Sequence, residues 1–274
     1  MLKYYNGDKW VMKGNAMDSF FAQKELFANI GLHSQSLFFY SVTDSTNTRA
    51  REHFVAQAPT TPCLFVADTQ TAGRGTRGRG FESEIGGLYF SLLIPNESLD
   101  TTHLTVMAAG ATYLALRYFL GRKSKNLFIK WVNDLYIGKK KISGILSEKI
   151  NGENGQAFIV GIGINLYGSP FSPEVEKIAS SVEAATGEKI CRETLLLKIC
   201  ENLLSLKSPR GYKRLGRAYR RHSLKRGAEI SVTDSTGIIR EARVLGLNKD
   251  FSLKVRYFDG ETASLVSGDL SIKI

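Results

Sequence analysis

Apolar and polar positions alternate in three distinct ways along the 274-residue chain. In residues 1–36 the only sustained pattern runs from Asp18 to Ile30, where Phe20, Phe21, Leu26, Phe27 and Ile30 fall close to helical spacing. That predicts one helix. It is too little for a winged helix-turn-helix, which needs about three helices and a hairpin. Residues 37–222 then alternate strands and helices. Strands are predicted at 37–42, 63–68, 88–94, 127–133, 141–150 and 157–166, the last two joined by a turn containing Asn151-Gly152. A helix is predicted over 46–57, with Asp44 or Ser45 as its cap. Another carries Leu104, Met107, Ala108, Ala111, Leu114, Ala115 and Tyr118 on one face. Two or three helices follow between Pro173 and His222. From 223 to 274 the pattern becomes short strands with turns at 235–237, 248–250 and 259–260, the spacing of a small antiparallel barrel.

This organisation predicts an N-terminal extension (1–36), an α+β domain on a sheet (37–222) and a small β-domain (223–274). Hydrophobic residues at 43% and charged residues at 23% are those of a globular protein with a sizeable core. The most apolar helical run, Leu104 to Leu120, holds Arg117 and is shorter than the roughly 20 residues a membrane span needs. The N-terminus has no signal-peptide pattern, so cytoplasmic residence is expected. Cys63, Cys191 and Cys200 are odd in number and widely spaced, as reduced thiols would be. The net charge of +11 admits nucleic acid, an acidic membrane surface or an anionic substrate as partner. It collects at 74–79, 122–125, 139–141 and 207–226 rather than in one tail.

Four short segments offer chemistry. The loop at 70–83 has glycines at 73, 75, 78 and 80 and arginines at 74, 77 and 79. Glycines let the backbone approach a ligand, and guanidinium groups suit phosphate or carboxylate oxygens. An RGG-like nucleic-acid segment or a mobile basic loop fits the same composition; a Walker A loop does not, because Gly-Lys-Ser/Thr is missing. Segment 130–148 puts Lys130, Asn133 and Asp134 at a strand end, and Lys141, Gly144 and Leu146 at the start of the next strand. Lys141 can reach into a pocket, whereas Lys139 and Lys140 read as a solvated turn. Gly161 and Gly163 alternate in an apolar strand, leaving room for a flat ligand or a closely packed helix. Asp44, Ser45, Thr46 and Asn47 bring hydrogen-bonding groups to a strand–helix junction and read, taken alone, as a helix cap.

Taken in order, the four segments resemble the biotin–protein ligase family, whose motifs read DSTN, QxxGRGxxGR, KWPND followed by K-x-x-GIL, and GxGIN. They stand here as Asp44–Asn47, Gln70–Arg79, Lys130–Leu146 and Gly161–Asn165, and the closing SGDLSIKI is also similar; the likeness covers about 37–274. The resemblance implies a class II aminoacyl-tRNA synthetase-like α+β catalytic domain with a mixed sheet, followed by an SH3-like barrel. It implies formation of biotinyl-5'-AMP from biotin and ATP with Mg²⁺, then biotin transfer to a lysine of a carboxylase's biotin carrier domain. Ser45, Thr46, Asn47 and Gln70 would contact biotin. Gly73, Arg74, Gly75, Thr76, Arg77 and Arg79 would belong to the loop closing over the adenylate, with Phe81 on the nucleotide side where Trp is common. Lys141 would reach the biotin carboxylate and α-phosphate, aided by Lys130 and Arg74. Asn133 and Asp134 would lie by the phosphates and Mg²⁺, with Asp134 orienting either the metal or the acceptor amine. Gly144, Leu146, Gly161, Gly163, Ile164 and Asn165 would shape the pocket.

Three departures qualify this. Thr76 stands where many relatives carry arginine, which implies readier leakage of the intermediate. Val132 replaces the motif's proline, relaxing the strand end without removing a reacting group. The region before residue 37 does not have the length of the DNA-binding domain of the bifunctional members, so no specific DNA binding is expected; a homodimer through edge strands stays open. Lipoate-transferring relatives and a nucleic-acid-binding module are the competing readings, and biotin-dependent pyrophosphate release separates the ligase from the second.

Overall fold

The computed structural model describes residues 4–6, 9–11, 24–95, 100–152, 155–168, 171–233, 237–266 and 269–272. A short hairpin, β1 (Tyr4–Asn6) with β2 (Lys9–Val11), and a helix, α1 (Lys24–Ala28), precede the main sheet. The expected 18–30 helix lies partly outside the described residues.

Seven strands form the principal sheet: β3 (Leu37–Thr43), β4 (Cys63–Gln70), β5 (Gly87–Pro95), β6 (Leu127–Lys130), β7 (Asp134–Ile137), β8 (Lys140–Gly152) and β9 (Gly155–Asn165). Their order is β3-β4-β5-β9-β8-β7-β6. β3 and β4 run parallel and the other neighbours antiparallel, so the sheet is mixed. Alternation along β9 sorts its two faces. Val160, Ile162 and Ile164 join the large core under α3 (Thr101–Leu120), whereas Ile159 packs with Ala50 and Phe54 of α2 (Thr46–Gln57). Gly161 and Gly163 therefore look out on the α2 side.

The Asp100 carboxylate accepts the His103 N–H at 2.8 Å, capping α3. Counted on to Asn126, this stretch is long and apolar enough to cross a membrane, which the shorter run from Leu104 to Leu120 did not register. Its most apolar window is 72% buried inside the protein, the packing of a core helix. After β9 come α4 (Pro173–Glu176), α5 (Val182–Thr186), α6 (Arg192–Leu204) and α7 (Pro209–His222), more helices than the pattern predicted. The three cysteines are free, with Cys63 and Cys200 buried.

The predicted strand over 127–133 ends early, and a strand not predicted follows it. β6 stops at Lys130, the chain turns through Trp131, Val132 and Asn133 with a cis Trp131–Val132 peptide, and β7 returns beside it. The physical reason is tertiary. The buried Trp131 indole N–H donates to the Phe251 carbonyl oxygen at 3.0 Å, and the Tyr219 hydroxyl donates to the Val132 carbonyl oxygen at 3.1 Å. Neither partner can be seen from the local pattern.

The second sheet holds β10 (Glu229–Thr233), β11 (Ile239–Leu247), β12 (Leu253–Tyr257), β13 (Thr262–Leu265) and β14 (Asp269–Ile272). All its neighbours are antiparallel, in the order β13-β12-β11-β10-β14. Its inward residues Ile230, Val232, Val244, Leu253 and Val255 are buried in the same continuous core as α3 and α7.

Candidate active site

Helix α2 begins where β3 ends, and its first turn is held from outside the helix. Ser45 occupies the N-cap position, but its side chain makes no capping bond. The Thr46 N–H instead donates to Gln70 Oε1 on β4 at 2.8 Å, and Asp44 Oδ1 accepts the Ser45 N–H at 2.6 Å. The helix-cap reading of this segment is thus replaced by a cross-strand network. Ser91 Oγ on β5 stands 2.8 Å from Thr46 Oγ1 and 2.6 Å from Asn47 Oδ1. Gln70 Nε2 donates to Ser83 Oγ at 2.8 Å. Burial raises the Asp44 carboxyl pKa, but the Ser45 N–H, Arg49 and Thr43 outweigh it, and the net pKa falls below the ordinary carboxylate value.

The glycine–arginine loop is a closed ribbon. Gln70 pairs with Ser83 and Arg74 with Gly80 across it, and the Phe81 N–H donates to the Gly73 carbonyl oxygen at 2.9 Å. A Cβ on Gly73 would collide with the Phe81 carbonyl and the Ser83 hydroxyl, so this glycine serves the ribbon's closure. The tip turns through Thr76–Gly78, with Arg77 left-handed (φ 59°).

Phe81 returns from the ribbon onto the sheet. A Cβ on Gly163 would lie 2.6 Å from the Phe81 ring, and one on Gly144 would lie 3.1 Å from it. A Cβ on Gly161 would overlap the Asn47 amide. The room left by the two alternating glycines is therefore taken by Asn47 and Phe81. Neither the flat ligand nor the packed helix left open by the sequence lies directly on these glycines; side chains of the ribbon and of α2 do.

The turn between β6 and β7 sets Lys130 opposite Asp134, and Asp134 opposite Gly144 of β8. Lys141 Nζ approaches Asp134 Oδ1 to 2.7 Å. That oxygen is buried and accepts no aligned hydrogen bond, so the contact is a charge pair. The Lys141 backbone is pinned on both sides, by the Ile178 carbonyl oxygen and the Ser180 N–H. Lys140 Nζ donates to the carbonyls of Glu176 and Lys177 at the end of α4, so it is held and not simply solvated; Lys139 is exposed. Asn133 Nδ2 donates to the Ile145 carbonyl oxygen at 3.0 Å, committing part of its amide to holding the turn against β8.

These parts enclose one cavity of about 670 Å³. Ser45, Thr46, Asn47 and Gln70 give it a neutral, hydrogen-bonding end. Gly144, Leu146, Gly161, Gly163 and Phe81 line its floor and wall. Arg74, Arg77, Arg79, Lys130 and Lys141 bring five cations against one lining carboxylate, Asp134; Gly75, Thr76 and Asn133 complete the expected residues found there. Three expected residues are elsewhere. Gly73 closes the ribbon. Ile164 is fully buried on the opposite face of the sheet. Asn165 is buried and its amide donates at 3.4 Å to the Ser180 carbonyl oxygen. The motif pattern did not bring out Tyr136, whose ring lies 5.4 Å from Lys130 Nζ, Ile178, or Leu270 of the second sheet, all of which line the cavity. Nothing local announces Leu270, since a chain reversal of over a hundred residues brings it in. Among the described residues no group of three or more His, Cys, Asp or Glu gathers as a metal site.

Such a cavity suits a ligand with a polar uncharged head, an apolar middle and an anionic tail. Residues 39–165 match the model of the biotin/lipoate A/B protein ligase family. The chain is 34% identical over 245 residues to the bifunctional ligase/repressor BirA of Bacillus subtilis, covering 87% of this chain and 71% of that protein. It is 36% identical over 160 residues to a biotin–[acetyl-CoA-carboxylase] ligase of Paracoccus denitrificans, covering 56% and 65%. Among solved structures, the biotin protein ligase of Aquifex aeolicus in complex with biotin and ATP superposes with a TM-score of 0.71 at 27% identity, covering 87% of this chain and 99% of that one. The chain belongs to the biotin–protein ligase family.

Proposed function

We propose that this cavity binds biotin and ATP together, joins them as biotinyl-5'-AMP, and delivers biotin to a lysine of a carrier domain. The observation that carries the reading is the cavity's polarity: neutral donors and acceptors at Thr46 and Gln70, five cations and a single carboxylate on its walls. Biotin has this layout, with a ureido head, an apolar body and chain, and a carboxylate tail. The tail would meet ATP among the cations.

In the first step a biotin carboxylate oxygen attacks the α-phosphorus of ATP. A new P–O bond forms, the bond to the β-phosphate breaks, and pyrophosphate leaves with its electron pair. Both reactants are anions, so the barrier is dominated by charge. Lys141, fixed through its backbone and its pair with Asp134, holds a positive charge beside the reacting oxygens. Lys130 and the loop arginines neutralise the phosphates. Donors placed this way contribute on the order of 3–4 kcal/mol each. In the second step the acceptor amine attacks the acyl carbon, AMP leaves, and the amine loses a proton. The ribbon at 73–81 covers the cavity and keeps water from the mixed anhydride.

For Mg²⁺ the donor set fits one mode only. Asp134 Oδ1 is buried with no aligned hydrogen bond, and Mg²⁺ commonly takes one or two carboxylates together with substrate phosphates and water. Asp134 would hold it, and the ion would supply charge neutralisation at the phosphates.

The reading extends to the acceptor, architecture and setting. The Paracoccus relative is named for acetyl-CoA carboxylase, which supports a carboxylase carrier domain as partner. The two separate sheets support a catalytic domain over 37–222 of the class II synthetase type and an SH3-like barrel over 223–274. We place the reaction in the cytoplasm, where ATP is supplied.

The test is pyrophosphate release on mixing the protein with biotin, ATP and Mg²⁺. Release that saturates with biotin is expected, followed by labelling of an added carrier domain. No biotin dependence at any concentration defeats the proposal.

A further inference from the structure

Glu148 lies on β8 just beyond the motif residues, with its side chain only 16% exposed beside the cavity. Its Oε2 accepts a 2.7 Å hydrogen bond from Asn47 Nδ2. Its Oε1 stands 3.1 Å from Arg51 Nη2 and 3.3 Å from Arg74 Nη2. Asn47 and Arg51 are one turn apart on α2, and Arg74 opens the ribbon. One carboxylate thus joins the sheet, the helix behind the cavity's neutral end, and the loop above it.

Two consequences follow. An amide can present either its oxygen or its nitrogen to a neighbour, and the surrounding network decides which. With Nδ2 committed to Glu148, Asn47 turns Oδ1 toward Ser91, the hydroxyl shared with Thr46. Arg74 is 47% exposed, and an exposed pair by itself contributes little. But a guanidinium has five donors in a rigid fork, so one edge can stay on Glu148 while the other faces an anion. A loop arginine anchored this way is already oriented before the ligand arrives, and less freedom is lost on binding.

We infer that Glu148 is a positioning residue: it anchors Arg74 and orients Asn47, coupling the closed ribbon to the neutral end of the cavity. The inference rests on the biotin-ligase reading. It is tested with the full chain by steady-state pyrophosphate release. Glu148→Gln keeps an acceptor for Asn47 and removes the charge that holds Arg74. The KM for biotin should rise roughly tenfold, the range of a charge-assisted hydrogen bond, with the KM for ATP changed less than about twofold. Arg74→Gln should raise the biotin KM as well, and the double variant should be no worse than Arg74→Gln alone. Glu148→Asp keeps the charge and should recover much of the loss, which also covers the case in which Glu148→Gln folds poorly. Wild-type biotin KM in Glu148→Gln, independent effects of the two single variants, or no recovery in Glu148→Asp each overturn the inference. Wild-type protein without biotin-dependent release would instead defeat the ligase reading, so the two failures are distinct.

Discussion

At the scale of single residues, two glycines two positions apart do different work. Gly161 makes room for Asn47, whose amide is tied to Ser91 and Glu148, while Gly163 makes room for the Phe81 ring at the base of a surface ribbon. A methyl at Gly161 has to displace a hydrogen-bonded side chain in the first turn of a packed helix. We expect Gly161→Ala to lower stability by about 1–3 kcal/mol, the usual cost of overpacking, and to abolish biotin-dependent turnover. Gly163→Ala can be relieved by a shift of the ring, so its melting temperature should stay close to wild type while substrate KM values rise. Thermal denaturation of both variants checks this, and an equal loss of stability would contradict it. Thr76 poses a second question at this scale. It lines the cavity at the ribbon's tip, where a guanidinium would add a donor toward a phosphate. Thr76→Arg should slow release of the adenylate about tenfold, the value of one charge-assisted bond. Equal release rates from the two proteins would remove Thr76 as a cause of leakage.

At the scale of elements, legibility followed the range of the forces. Helix α2 and strands β3, β4, β5 and β9 were predicted within a few residues, because period and turn chemistry are local. The strand over 127–133 was not, because the turn at Trp131 is set by partners at Tyr219 and Phe251. The site motifs were legible as a set, yet the cap at Asp44–Asn47 turned out to be supplied by Gln70 on another strand. A pH dependence belongs to the contact of α2 with β3 and β4. His53 packs 4.6 Å from the Phe38 ring and 5.5 Å from the Phe65 ring, and burial lowers its pKa below the ordinary 6.5. Its neighbour Cys63 is no counter-ion, since burial pushes that thiol up to about 11. The folded state resists protonating His53, while the unfolded chain protonates near 6.5. Its contribution to stability is therefore intact above that value and lost as pH falls through the lower folded pKa. Melting curves from pH 7 to pH 5 should show a decline that His53→Phe reduces; an unchanged decline would assign it to other groups.

At the scale of the whole molecule, most of the net charge comes from one stretch whose cations do not line the cavity. Between Glu201 and Glu229 there is no acidic residue, while Lys207, Arg210, Lys213, Arg214, Arg217, Arg220, Arg221, Lys225 and Arg226 all occur there, nine cations against a net +11. The six on α7 recur every three or four residues along its exposed side, and the opposite side buries Leu215 and Tyr219. α7 packs against α3, which covers the face of the sheet turned away from Gly161 and Gly163. None of these nine cations lines the cavity, and exposed charges are screened over about 8 Å at physiological salt, so this stripe should act little on the reacting phosphates. The double variant Arg210→Gln, Arg217→Gln should keep biotin-dependent pyrophosphate release within about twofold of wild type. The same protein should elute from a heparin column at lower salt, since polyanion binding depends on the number of phosphate or sulfate contacts. A large fall in pyrophosphate release, with the fold intact by thermal denaturation, would mean that the field of α7 reaches the cavity. The loop arginines and Lys141 would then not be the whole of the charge that activates the carboxylate.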